Sequence, residues 1–236
     1  MAELDPTQTQ QAQPLTDSPA VAAFVNKVFG WMTLGLLLTA GVAALFASTG
    51  RAEGLADNPA LLIGIVIAEL ALVAGLSFGI NKISAPMAIG AFALYSGLNG
   101  AVLSLIFLIY TGASIAGTFF VAAAMFAAMA VYGYATKRDL TKLGPLLFMA
   151  LIGVLVAMVV NVFLLKSPGF DLAISIIGVL VFIGLTAYDA QKIKRMGAAG
   201  MEGEQATKGA ILGALALYLD LINLFLFLLR IFGQRR

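Results

Sequence analysis

From Ile83 to Thr136 the chain carries no Asp, Glu, Lys or Arg at all. A run of that length is far too long for one membrane crossing of roughly 20 residues, so it folds as two apolar helices joined by a turn. The only turn chemistry in its middle is Thr111-Gly112-Ala113-Ser114, and the break is expected there. Backbone buried in lipid must satisfy its own hydrogen bonds, which leaves helices as the spanning element.

The rest of the chain repeats that pattern. Apolar segments of crossing length are expected at Phe24 to Ser48, Ala60 to Ile80, Ala85 to Tyr110, Ser114 to Thr136, Pro145 to Leu165, Asp171 to about Ile193, and Gly209 to Phe232. The fold class is therefore all-α, a polytopic bundle of seven transmembrane helices occupying residues 24–236. Of the 236 residues 61% are hydrophobic and 11% charged, against about 25% charged in a soluble domain, so no length remains for a soluble catalytic unit. Residues 1–23 are polar, with three prolines, Glu3, Asp5 and Asp17, and read as a disordered tail. No basic region precedes the first apolar stretch, so the tail is not read as a signal peptide.

Lys and Arg set the orientation. With the N-terminus inside, the inner segments hold nine: Lys27, Lys82, Lys137, Arg138, Lys142, Lys192, Lys194, Arg195 and Lys208. The outer segments hold five: Arg51, Lys166, Arg230, Arg235 and Arg236. The bias favours an inside N-terminus and an outside C-terminus. The connection from Lys194 to Lys208, rich in Gly and Glu, is expected to be flexible.

The chemistry available is narrow. With Cys 0 and His 0, thiol, disulfide and imidazole chemistry are absent, as are most transition-metal sites. A net charge of +2 gives no footprint for nucleic acid. No cofactor is implied, and the lipid bilayer is the evident partner.

Four carboxylates lie in or at the edge of spans. Asp171 follows Lys166-Ser167-Pro168-Gly169 and is read as a cap or dipole partner. Glu69 falls near the centre of the second span, where an ionised carboxylate is costly. It fits either a hydrogen bond to Asn99 or Ser96, or a place in an ion path. Asp220 is centred in the last span, about 16 Å from the nearer end and out of snorkelling range, so it needs partners within the protein. Its face-mates Gly213, Ala216, Asn223 and Phe227 include small residues that let other helices approach, which suggests a central last helix.

Asp189 lies near the inner end of the sixth span. It is either an interfacial residue paired with Lys192 or the partner of Asp220 across an antiparallel helix pair. Counted from the inner ends of their spans, the two aspartates differ in depth by about 10 Å, so a meeting requires staggered helices. Facing carboxylates in a dry site share a proton, which would make the pair a proton-sensitive latch.

Ala187-Tyr188-Asp189-Ala190-Gln191-Lys192-Ile193 and the run Leu215 to Arg230, with Tyr218-Leu219-Asp220-Leu221-Ile222-Asn223 at its heart, resemble the Bax inhibitor-1 (TMBIM) family in its bacterial YccA-like branch. The resemblance covers about Phe24 to Phe232. It implies a seven-helix bundle with a central last helix and a non-enzymatic calcium leak gated by protons through Asp189 and Asp220. The same two residues are then the expected calcium ligands, with Glu69 and Asn223 along the ion path. Family members can carry an arginine near the inner end of the second span that latches one aspartate. Here no Arg occurs between Arg51 and Arg138, and Lys82 is the cation at that end.

Two other functions are weighed. The YccA-like branch implies a modulator of a membrane-bound ATP-dependent protease. The aspartates also resemble the dyad of presenilin-type proteases, but no glycine stands immediately before Asp220 and no proline follows Pro168.

Overall fold

The computed structural model describes residues 18–236, so the expected polar tail lies outside the described residues as far as Asp17. Seven helical segments are long and apolar enough to cross a membrane, which makes the chain an all-α polytopic membrane protein. The helices are α1 (Pro19–Ser48), α2 (Arg51–Ala56), α3 (Pro59–Gly79), α4 (Ala85–Leu103), α5 (Ile106–Ile109), α6 (Gly112–Ala135), α7 (Gly144–Val160), α8 (Pro168–Ala198) and α9 (Gly203–Phe232). Short 3-10 turns precede α4 and α7, and a π turn, Asn161–Leu165, extends α7.

Several helices begin earlier than hydropathy alone suggests, because capping residues set the starts. Ser18 accepts a hydrogen bond from the Val21 amide ahead of Pro19, Asn58 from Leu61 ahead of Pro59, and Ser167 from Phe170 ahead of Pro168. Such side chains satisfy N–H groups that the helix cannot, and proline at the first position loses nothing by lacking one. Thr111 plays the same part for α6, accepting from Ser114, so the long uncharged run divides at the expected place.

The largest departure concerns the connection before the last helix. Instead of a long flexible segment, α8 continues to Ala198 and α9 begins at Gly203. Four residues make the turn, and Gly200 and Gly203 adopt the positive φ that it requires. The first turns of α9 are tied to neighbouring helices on the lysine-rich face, which the cation bias assigns to the inside: Glu204 accepts from the Ala85 amide at 2.9 Å, capping α4, and Lys27 Nζ donates to Thr207 at 2.8 Å.

Helix α9 is the axis of the bundle. Of its most apolar stretch 72% is buried inside the protein, against 6% for α3. It packs against α8, α1, α6 and α4 and touches α3, whereas α7 packs mainly on α8. Neighbouring helices approach Gly213 of α9, where an added Cβ would lie 3.1 Å from Ile193 and 3.2 Å from Val28; approach is closer still at Gly100, where it would lie 2.6 Å from the Thr39 carbonyl of α1, and at Gly133, where it would collide with the Ala187 carbonyl of α8. At the outer end the residues after α9 run antiparallel to the break before α6. The Thr111 amide donates to Gln234 and the Arg236 amide to Ile109, both at 3.0 Å.

Candidate functional site

The side chains of α8 and α9 fix the register between them. Gly178 packs on Phe227, Ile193 on Gly213 and Met196 on Gly209. Asp189 is then level with Ala216, and Asp220 stands four residues, about 6 Å, nearer the outer face. On a helix each Cα–Cβ bond tilts towards the N-terminus. The helices are antiparallel, so Asp189 leans outward and Asp220 inward, and the carboxyl groups come within hydrogen-bonding reach.

Asp220 is 3% exposed, and its Oδ2 has no N–H or O–H donor among the described residues. The group facing it is another carboxyl, and two carboxyls bond only when one of them carries a proton. The interacting cation beside Asp189 is Lys192, one turn further along α8. Lys82 is exposed on the turn after α3 and forms no ion pair among the described residues. The α3 residue that reaches the space beside the pair is Ser77, so the cation next to the pair is Lys192 and not Lys82.

The pair lies where two cavities meet. The larger, about 720 Å³, follows α9 from Ala216 to Arg230, walled by α7 and α8. That length of helix is about 21 Å of a hydrocarbon core of about 30 Å. The smaller, about 240 Å³, extends towards the inner face along Leu212, Gly213 and Met196. Asp189, Ala216 and Leu219 border both, and Asp220 borders the larger. Asn223 lines the larger cavity, its amide donating to the Leu219 carbonyl at 2.8 Å.

Glu69 is elsewhere. It hydrogen-bonds Asn99, one of the two partners expected for it, and its Oε1 is buried without a partner among the described residues. Asn99 also accepts from the Tyr218 hydroxyl at 3.1 Å, and Tyr218 is 2.6 Å from Thr39 Oγ1. Residues two apart on a helix point to nearly opposite sides, so Tyr218 turns this cluster away from Asp220. Glu69 and Asn223, grouped as one ion path by sequence, thus line different sides of α9.

Three contacts were not read from sequence. Ser167, not Asp171, caps α8; Asp171 lies in the first turn and pairs with Arg230 of α9 at 3.6 Å. Arg230 also rests over the Phe227 ring, 5.6 Å from its centre, at the outer end of the large cavity. The i,i+3 step from Phe227 was the visible signal, but nothing in the sequence pairs Arg230 with Asp171. At the inner face, Arg195 Nη2 is 2.6 Å from Asp139. Bonds from Thr141 and Arg195 hold the Asp139 carboxyl below the usual carboxylate range.

For calcium, the fit is partial. Two carboxyls face the junction, and among the described residues no group of three or more acidic side chains forms a cage. Calcium takes six to eight oxygens, so these two carboxyls alone do not make a resident calcium site.

Comparison with known proteins places these motifs. The family described as "Inhibitor of apoptosis-promoting Bax1" matches residues 21–236. Inner membrane protein YbhL of Escherichia coli (strain K12) is 55% identical over 216 residues, covering 90% of this chain and 92% of its own. An uncharacterized protein of Borreliella burgdorferi is 44% identical over 215 residues, covering 90% and 92%. The uncharacterized protein RP147 of Rickettsia prowazekii is 40% identical over 236 residues, the whole of both chains. The chain belongs to the Bax inhibitor-1 family.

Proposed function

We propose that this protein is a proton-sensitive calcium leak in the bacterial inner membrane, with its N-terminus inside and the Asp189–Asp220 pair as its latch. The observation that carries the proposal is the position of the pair, between a large cavity and a smaller one leading towards the inner face. The membrane is suggested by the relative named an inner membrane protein and by the cation bias.

While one proton is shared, the carboxyls bridge α8 to α9 and keep the cavities apart. When that proton leaves, two like charges face each other in a poorly solvated space and cannot remain in contact. The helices part at this level, and the same two charges attract a divalent cation that uses oxygen ligands. Ala216 and Leu219 give the junction a small and a bulky border, so a modest shift of α9 opens it.

Purified protein in liposomes loaded with a calcium indicator tests the proposal. Calcium entry should exceed that of empty liposomes and rise as pH rises. No protein-dependent calcium entry at any pH would refute it.

A further inference from the structure

The large cavity has three cations at its inner mouth, of which only Lys192 interacts with the aspartate pair. Lys82 ends the turn after α3, Lys142 precedes α7, and Lys192 projects from α8. All three are exposed, and each is on or within two turns of a mouth-lining residue: Ser77, Gly144 or Lys192 itself. Lys82 and Lys142 form no ion pair among the described residues. At the outer end the charge of Arg230 is already met by Asp171 and the Phe227 ring.

The wall above that mouth is apolar and open sideways. Phe148 and Leu155 of α7 line the cavity while remaining 60% and 52% exposed. Among the described residues α3 and α7 share no extensive packing, so the cavity opens sideways between them. An apolar slot of this volume with cations at one end matches an amphiphile with an anionic head.

We infer that an anionic phospholipid of the inner leaflet docks in this crevice. Its phosphate lies among Lys82, Lys142 and Lys192, and one acyl chain runs along Phe148, Leu151 and Leu155, covering the aspartate pair. Charge complementarity selects the head group, and apolar burial holds the chain. Docking gives Lys82 a role as a head-group ligand. The inference does not rest on the proton latch.

Native mass spectrometry of the delipidated protein tests it, after incubation with equal amounts of phosphatidylglycerol and phosphatidylcholine of matched chains. The parent should retain phosphatidylglycerol in preference, and each Lys→Gln substitution at 82, 142 and 192 should lower that preference about fivefold. Lys→Arg at the same positions should keep it. Leu155→Trp, which fills the slot, should reduce retention of both lipids without lowering the melting temperature. Arg230→Gln should leave the preference unchanged. Equal retention by the parent, a preference that survives the triple Lys→Gln variant, unchanged retention in Leu155→Trp, or a preference lost in Arg230→Gln alone would each overturn the inference. Calcium flux does not enter this readout, so its failure leaves the latch standing.

Discussion

Asp189 and Asp220 touch although their Cα atoms differ in height by about one helical turn, because antiparallel helices lean their side chains towards each other. Moving either carboxylate by one residue would turn it about 100° around its helix and break the contact. The contact between the two carboxyls is therefore a property of the α8–α9 register.

Ala216 borders both cavities at the level of Asp189. Ala216→Leu should obstruct the junction and reduce calcium flux at every pH, leaving the pH at half-maximal flux in place. Its stability cost should be about 1 kcal/mol, as for modest overpacking. Flux equal to that of the parent would mean the ions pass elsewhere.

Gly133 and Gly97 form a matched pair. A methyl group at Gly133 collides with the Ala187 backbone, whereas at Gly97 nothing lies within 4 Å. Gly133→Ala should lose about 2–3 kcal/mol by forcing α6 from α8, while Gly97→Ala should be neutral or gain up to about 1 kcal/mol. Unfolding in mixed micelles measures both, and equal effects would contradict the close approach of α6 and α8.

Tyr218→Phe removes the hydroxyl that joins Thr39 and Asn99. The loss should be about 0.5–1.5 kcal/mol, typical of a hydrogen bond between membrane helices. Because Tyr218 faces away from Asp220, the pH profile of calcium flux should not move. A displaced profile would show that the Glu69 cluster and the aspartate pair are coupled.

Seven spans, the break at Thr111 and the two aspartate motifs were legible in the sequence because each rests on local chemistry: length, capping and residue type. Burial of α9 was legible from its small-residue face, and the Glu69–Asn99 contact from the scarcity of polar groups at that depth. The extent of α8 and α9 was not, since charged and Gly-rich turns beyond the membrane hide a helix from hydropathy. Nor could sequence choose Lys192 over Lys82 as the cation beside Asp189, because that depends on how α3 is rotated. The separation of Glu69 from Asn223 is of the same kind, set by which side of α9 each neighbouring helix occupies.

Asp139 gives a pH effect outside the membrane. Its carboxyl is held low by Thr141 and Arg195, so its contribution to stability is present above about pH 4, the unfolded value, and fades as pH falls towards the folded one. Both partners are exposed, so the effect should be small. Asp139→Asn should lower the melting temperature slightly at pH 7 and narrow its difference from the parent as pH falls below 4. A difference that grows on acidification would reverse the assigned sign.

In the proposed latch Asp189 and Asp220 act as one proton-sharing unit. Calcium flux measured across pH in liposomes carrying the parent, Asp189→Asn, Asp220→Asn or the double variant tests it most directly. Each single substitution removes the like-charge repulsion and should flatten the rise of flux with pH, and the double variant should add little, because residues that act as a unit are not additive. If both single variants keep the parent's pH profile, the latch is not this pair.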